Sequence, residues 1–205
     1  MSPSYESWES VPFAEPVRHL CRQPLQVDLY RGDADESALP YLRQAAATGV
    51  FPAAMIKDRD FANCCLSGLW LRFGYLDESH RWSQEIETPT GSYWHGIMHR
   101  REPDFGNAKY WFHRVGDHEI FDSLLAGARR IAREPAEIPE SWNQQLQSSR
   151  WDPHAFVDLC AAVFRGSDGS SERKFCRLVA ELEWRLLFGY SVRRALGLPH
   201  AFTDS

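Results

Sequence analysis

Apolar residues in this chain recur three and four positions apart far more often than they alternate, and that spacing predicts helices along most of its length. Residues 35–48 carry Leu39, Leu42, Ala45 and Ala46 on one stripe, with Asp35 or Ser37 as the cap and Gly49 as the stop. Residues 58–73 show a wider face, Phe61, Cys65, Leu69 and Phe73 beside Leu66 and Trp70, which predicts a buried helix ending at Gly74. Asp77 can cap a following helix over 78–87, with Trp82 and Ile86 on one side and His80, Gln84 and Glu87 on another; Pro89 and Gly91 read as its end. Helices over 93–102 and 107–115 flank a turn at Pro103, Asp104, Phe105 and Gly106. Residues 119–133 form another amphipathic stretch, with Arg129, Arg130 and Arg133 where cations suit the helix dipole. A proline-bearing connector over 134–139 and a helical turn over 141–147 come next. Asp152 followed by Pro153 signals a helix start, and 166–171 reads as a flexible loop. The last helix, 172–196, is apolar nearly all round at LVAELEWRLLFGY, which marks it as the core helix.

The first 35 residues break this pattern. Pro3, Pro12, Pro16 and Pro24 stand among polar residues, a composition suited to a segment draped over a surface and anchored by Tyr5, Trp8 and Phe13. Residues 25–30 alternate as a strand might, but a lone strand leaves its backbone unsatisfied, so extended coil is expected. The resulting expectation is an all-α fold: an extended N-terminal segment, 1–35, followed by one helical domain, 36–205, built as a bundle of stacked antiparallel helical hairpins. The stretches LSGLWLRFGYLDESHRWSQEI and YWHGIMHRREPDFGNAKYWFHRV both read as helix, turn, helix, which resembles the tetratricopeptide arrangement in outline, at a period nearer thirty than thirty-four. The run GSYWHGIMHRREPDFGNAKYWFHRVG also resembles the signature stretch of a group of uncharacterised helical bacterial and fungal proteins. That resemblance implies no activity.

Composition sharpens the picture. With 205 residues, 43% of them hydrophobic, the chain can bury enough apolar surface to offset its ordering entropy. A net charge of -5 provides no electrostatic footprint for phosphate backbones or anionic lipids, so neither nucleic acid nor a membrane is an expected partner. The five cysteines are odd in number and lack CxxC spacing, which predicts buried free thiols rather than a disulfide framework or zinc knuckle. The N-terminal stretch shows no charged and apolar leader, and no later stretch reaches the length of a membrane span; a cytoplasmic protein is expected.

Candidate chemistry concentrates between Gly91 and His118. His95 and His99 lie one helical turn apart and Glu102 follows by three, so the three can share a face and hold a divalent transition metal. His113 on the returning helix, or Glu85 or Glu87 upstream, could complete the set. Gly96 stands where the HExxH glutamate would be, so the metalloprotease motif is absent. Tyr93, Trp94 and Tyr110 are candidate walls of a pocket, with Arg101 and Arg114 to fix an anionic group. The competing structural reading packs these aromatics into the core and satisfies the histidines with nearby acids or carbonyls. Arg100 and Arg101 point about 100° apart on a helix, so one would meet a ligand and the other solvent. Glu181 and Glu183 interrupt the core helix and need partners, which Arg100, Arg101, Arg114 or a histidine could supply. No nucleophile elbow, glycine-rich phosphate loop or dinucleotide fingerprint occurs. Two functional expectations follow. The first is a pocket for a small polar or anionic ligand, assisted by a divalent transition metal. The second is a non-catalytic interaction module offering a helical groove to a partner peptide or to a second copy in a homodimer.

Overall fold

The computed structural model describes residues 8–133, 140–166 and 170–199. These residues form ten α-helices and no strand: α1 (Glu15–Arg22), α2 (Leu39–Thr48), α3 (Arg59–Arg72), α4 (Leu76–Ser83), α5 (Pro89–Arg101), α6 (Phe105–Val115), α7 (Phe121–Ala132), α8 (Glu140–Gln147), α9 (Pro153–Phe164) and α10 (Ser171–Leu196). The all-α expectation is met. The expected connector over 134–139 lies outside the described residues, as do Tyr5 and the centre of the 166–171 loop.

Caps explain most of the boundaries. Asp58 accepts the Asp60 and Phe61 amides ahead of α3, Asp152 does the same for α9, and Thr88 takes the Gly91 amide at 3.1 Å to start α5. Pro89, expected to end a helix, instead occupies the first turn of α5, where its missing amide hydrogen leaves nothing unsatisfied. The helix over 35–48 begins only at Leu39, because the Asp35 carboxylate bonds the Ser37 amide at 2.9 Å and its hydroxyl at 2.6 Å, holding a turn ahead of it.

The N-terminal segment departs from the expectation of an extended strap. Residues 15–22 form α1, with Val17 and Leu20 fully buried and the helix packed on α2. Pro16 sits in the first turn of α1, where proline is tolerated, rather than in a helix interior, which it would break. The remainder does run without regular structure from Gln23 to Arg31, tied down by Val27 and Leu29. Trp8 and Phe13 anchor it as expected: Trp8 meets Phe188 edge-on at 5.3 Å and Phe13 stacks on Phe51 at 5.4 Å.

α10 is the axis of a single contiguous core, packing on α3, α7 and α9. Trp184 stacks on Phe188 at 4.7 Å, and its indole donates to the Gly68 carbonyl at 2.8 Å. Gly68 is required here: a Cβ at that position would lie 2.8 Å from the Trp94 ring, so only glycine lets α3 approach α5 this closely. α10 stops at Gly197, whose φ of 65° lets the Leu198 amide bond back to the Arg193 carbonyl.

α5 packs most extensively on α6, and α3 on α4, while α4 and α3 also lie against α5. The Ser67 hydroxyl donates to the Ser79 carbonyl at 3.0 Å, drawing α4 onto α3 through two small side chains. That docking turns the middle of α4 toward α5. No helix among the described residues is long and apolar enough to cross a membrane.

Candidate metal centre

Three imidazoles converge where α4 meets α5. His95 and His99 share a hydrogen bond between their Nε2 atoms at 3.1 Å, and His80 from α4 meets them edge-on with ring centroids 4.6 Å and 5.5 Å away. One ligand atom from each of the three lies within 4.8 Å of the others, so this group could hold a metal ion. Two nitrogens 3.1 Å apart subtend roughly 100° at an ion about 2.05 Å from each, close to the tetrahedral angle that zinc prefers. Trp111 of α6 stacks on His95 at 3.8 Å and fixes its ring plane. Burial grades outward: His95 is enclosed, whereas His80 and His99 are partly exposed.

Electrostatics keep His95 and His99 neutral. Burial, reinforced by the two neighbouring imidazoles, pulls the His95 pKa down to about 3. Burial also lowers that of His99, against the opposing pull of Asp104 and Glu102. Neutral imidazole is the form that offers a lone pair to a metal. Nδ1 of His95 and Nδ1 of His99 are both buried and find no hydrogen-bond partner within the protein.

Glu102 is not one of the converging groups. It caps the end of α5, where the backbone leaves the helix, and its carboxylate bonds Arg31 from the N-terminal segment. Its other oxygen stands 3.6 Å from Nδ1 of His99, with Asp104 at 3.9 Å on the same nitrogen. It is a neighbour of the ligand set, behind His99.

The other expected site residues scatter. His113, two positions from Trp111 and therefore on another face of α6, is exposed and borders a separate cleft of about 420 Å³ with Arg150 and Trp151. Glu85 and Glu87 are exposed and take no part. Tyr93 and Trp94 are fully buried core residues: the Tyr93 hydroxyl donates to Glu183 at 3.1 Å, and the Trp94 indole donates to Ser191 at 3.4 Å. Arg101 was expected to meet a ligand, but it is sealed inside, donating to the Leu71 and Tyr30 carbonyls. Arg100 is equally buried, chelated by both oxygens of Glu183, so neither arginine is solvated. Glu181 pairs with Arg177 along α10. Tyr110 is exposed, and Arg114 lies over the Trp111 ring at 5.2 Å. Of the five residues expected around a ligand, Tyr93, Trp94 and Arg101 thus lie inside the core and Tyr110 and Arg114 on the surface.

His80, Trp111 and Arg31 were missed. His80 lies fifteen residues before His95 and on a different helix, so only the docking of α4 onto α5 brings it in. No family model, curated protein or solved structure matches the chain. What the centre can do therefore follows from its own geometry.

Proposed function

We propose that this protein binds a divalent transition metal through His80, His95 and His99, with a coordination position left for water or a small polar or anionic ligand. The observation that carries this reading is the meeting of three imidazoles from two helices, one ligand nitrogen of each within 4.8 Å of the others and two of the rings with lowered pKa values. Three nitrogen ligands suit zinc, copper, iron or nickel better than calcium or magnesium, which prefer oxygen. Neutral imidazoles leave the full positive charge of the ion uncompensated, so an anionic or strongly dipolar fourth ligand is favoured. A metal held this way can polarise a bound carbonyl or lower the pKa of a bound water.

Glu102 and Asp104 act behind the ligands. A carboxylate facing Nδ1 of His99 favours the tautomer with its proton there, which frees Nε2 for the metal, and Arg31 fixes the Glu102 carboxylate in that position. Cobalt(II) is the probe of choice, because a four-coordinate site gives it visible absorption far more intense than that of aqueous cobalt. Chelator-stripped protein titrated with cobalt should develop that absorption at one equivalent, and His95→Ala or His99→Ala should abolish it. Failure to saturate near one equivalent, or full binding in a variant lacking all three histidines, rejects the reading.

A further inference from the structure

The geometry points to a second site, for a small zwitterion, in the cleft between the N-terminal segment and the end of α3. The cleft holds about 290 Å³, has Arg72 and Phe73 among its lining, and carries Asp28, Asp33 and Asp35 from the segment that crosses it. Arg72 is 7% exposed. Its Nη2 donates to the carbonyls of Gln23 and Pro24 at 2.8 Å and 3.0 Å, and its guanidinium lies 4.8 Å from the centre of the Phe73 ring.

No carboxylate among the described residues is within ion-pairing distance of this guanidinium, although every other fully or nearly buried cation discussed above has either a carboxylate or carbonyls on several of its nitrogens. Only Nη2 of Arg72 is so committed. The titratable side chain acting most strongly on it is Cys21, whose thiol burial pushes up to about 12, so it stays neutral and supplies no counter-charge. Burial lowers Arg72 itself to about 10, which still leaves a cation at neutral pH. A buried charge without a counter-ion is costly, and a carboxylate placed in the cleft would remove that cost with charge-assisted hydrogen bonds.

The rim has the opposite sign. Asp33 is exposed; Asp28 has only a distant partner, Arg101 at 3.8 Å; and one oxygen of Asp35 is taken up by Ser37. A simple anion would meet repulsion at this rim, and a simple cation would meet it at the floor. A molecule with a carboxylate at one end and an ammonium at the other satisfies both, so the ligand class is an amino acid of short chain. The site owes nothing to the histidine centre and stands or falls separately from it.

The test follows the Arg72 side-chain Nε–H resonance while glycine, β-alanine or γ-aminobutyrate is added, with butyrate and butylamine as single-charge controls. At least one zwitterion should saturate about tenfold or more tighter than either control, in line with the strength of hydrogen bonds to charged groups. Arg72→Met should abolish that binding. Because Arg72 also holds the N-terminal segment, the surface pair Asp28→Asn with Asp33→Asn provides the independent reading: it should leave folding intact and remove the preference for zwitterion over butyrate. Butyrate binding as tightly as the best zwitterion, an unchanged preference in the aspartate variant, or no saturable shift with any of the series would each overturn the proposal.

Discussion

α5 carries two polar clusters on different faces, and they are opposite in kind. Tyr93 and Arg100, seven positions apart and so nearly eclipsed, turn inward to Glu183 of α10, where carboxylate, guanidinium and phenol satisfy one another almost completely. His95 and His99 turn toward α4 and the partly exposed His80; their Nε2 atoms meet each other at 3.1 Å, and Nδ1 of His95 is buried with no hydrogen bond. Each cluster is dense in ionisable groups, so density alone does not separate structure from function. What separates them is pairing of charge: the first joins a carboxylate to a guanidinium, and the second gathers three imidazoles. A carboxylate and a guanidinium closed on each other brace the fold, whereas imidazoles left open toward one another are the kind of group a cation can bind.

The largest expected effect tests the closed network. Glu183→Ala, which strands the Arg100 guanidinium in the core, should destabilise the protein by about 3–5 kcal/mol in urea denaturation. Arg100→Met combined with Glu183→Leu, which removes both charges, should recover most of that loss. If the single variant is nearly neutral, the Arg100 pair is not the brace described here.

Proton uptake comes next. His118 belongs to the closed side: its Nδ1 accepts the Ile120 amide, its Nε2 bonds Thr90, and its ring packs edge-on against Tyr93. Burial lowers its pKa from 6.5 to about 4. The unfolded chain therefore takes up this proton first as pH falls. The stabilisation is complete above pH 6.5 and is lost between 6.5 and about 4, on the order of 3 kcal/mol. His95 contributes in the same direction over a range reaching lower pH, so the contribution of His118 is the difference between the stability profiles of wild type and His118→Gln. Identical slopes in the two proteins would contradict it.

Glu102→Gln addresses the open cluster. It keeps the shape behind His99 but removes the charge, and should weaken cobalt affinity about 10–100-fold with little change in thermal stability. An unchanged affinity in protein that does bind cobalt would leave the three-histidine site standing and remove Glu102 from it. The smallest effect expected is none: His113→Ala and Arg114→Ala, on residues outside the converging group, should leave the cobalt titration as in wild type.

Much of the fold was legible because helical periodicity and caps are local. Asp58, Asp152 and the run of 172–196 announced their helices through spacing that any neighbouring packing would have to respect. The misreadings came where one residue type has two uses. Pro16 and Pro89 were taken as breakers, although in the first turn of a helix proline is tolerated. At the site, the pairing of His95 with His99 was legible from their spacing of four, and Glu102 does stand near them, with its carboxylate on Arg31 and beside Nδ1 of His99 rather than among the three converging rings. Arg101, Tyr93 and Trp94 were assigned to a ligand because nothing in their spacing says which face of α5 is covered.

The sequence by itself determined where most of the helices form and that His95 and His99 share a face, since both follow from the 3.6-residue turn of one chain segment. The tertiary structure alone decided that His80 joins them, that Glu183 claims Arg100, and that Arg72 is left without a counter-ion. Those outcomes depend on which helix faces meet, and contacts between distant segments have no fixed interval in sequence by which to be recognised.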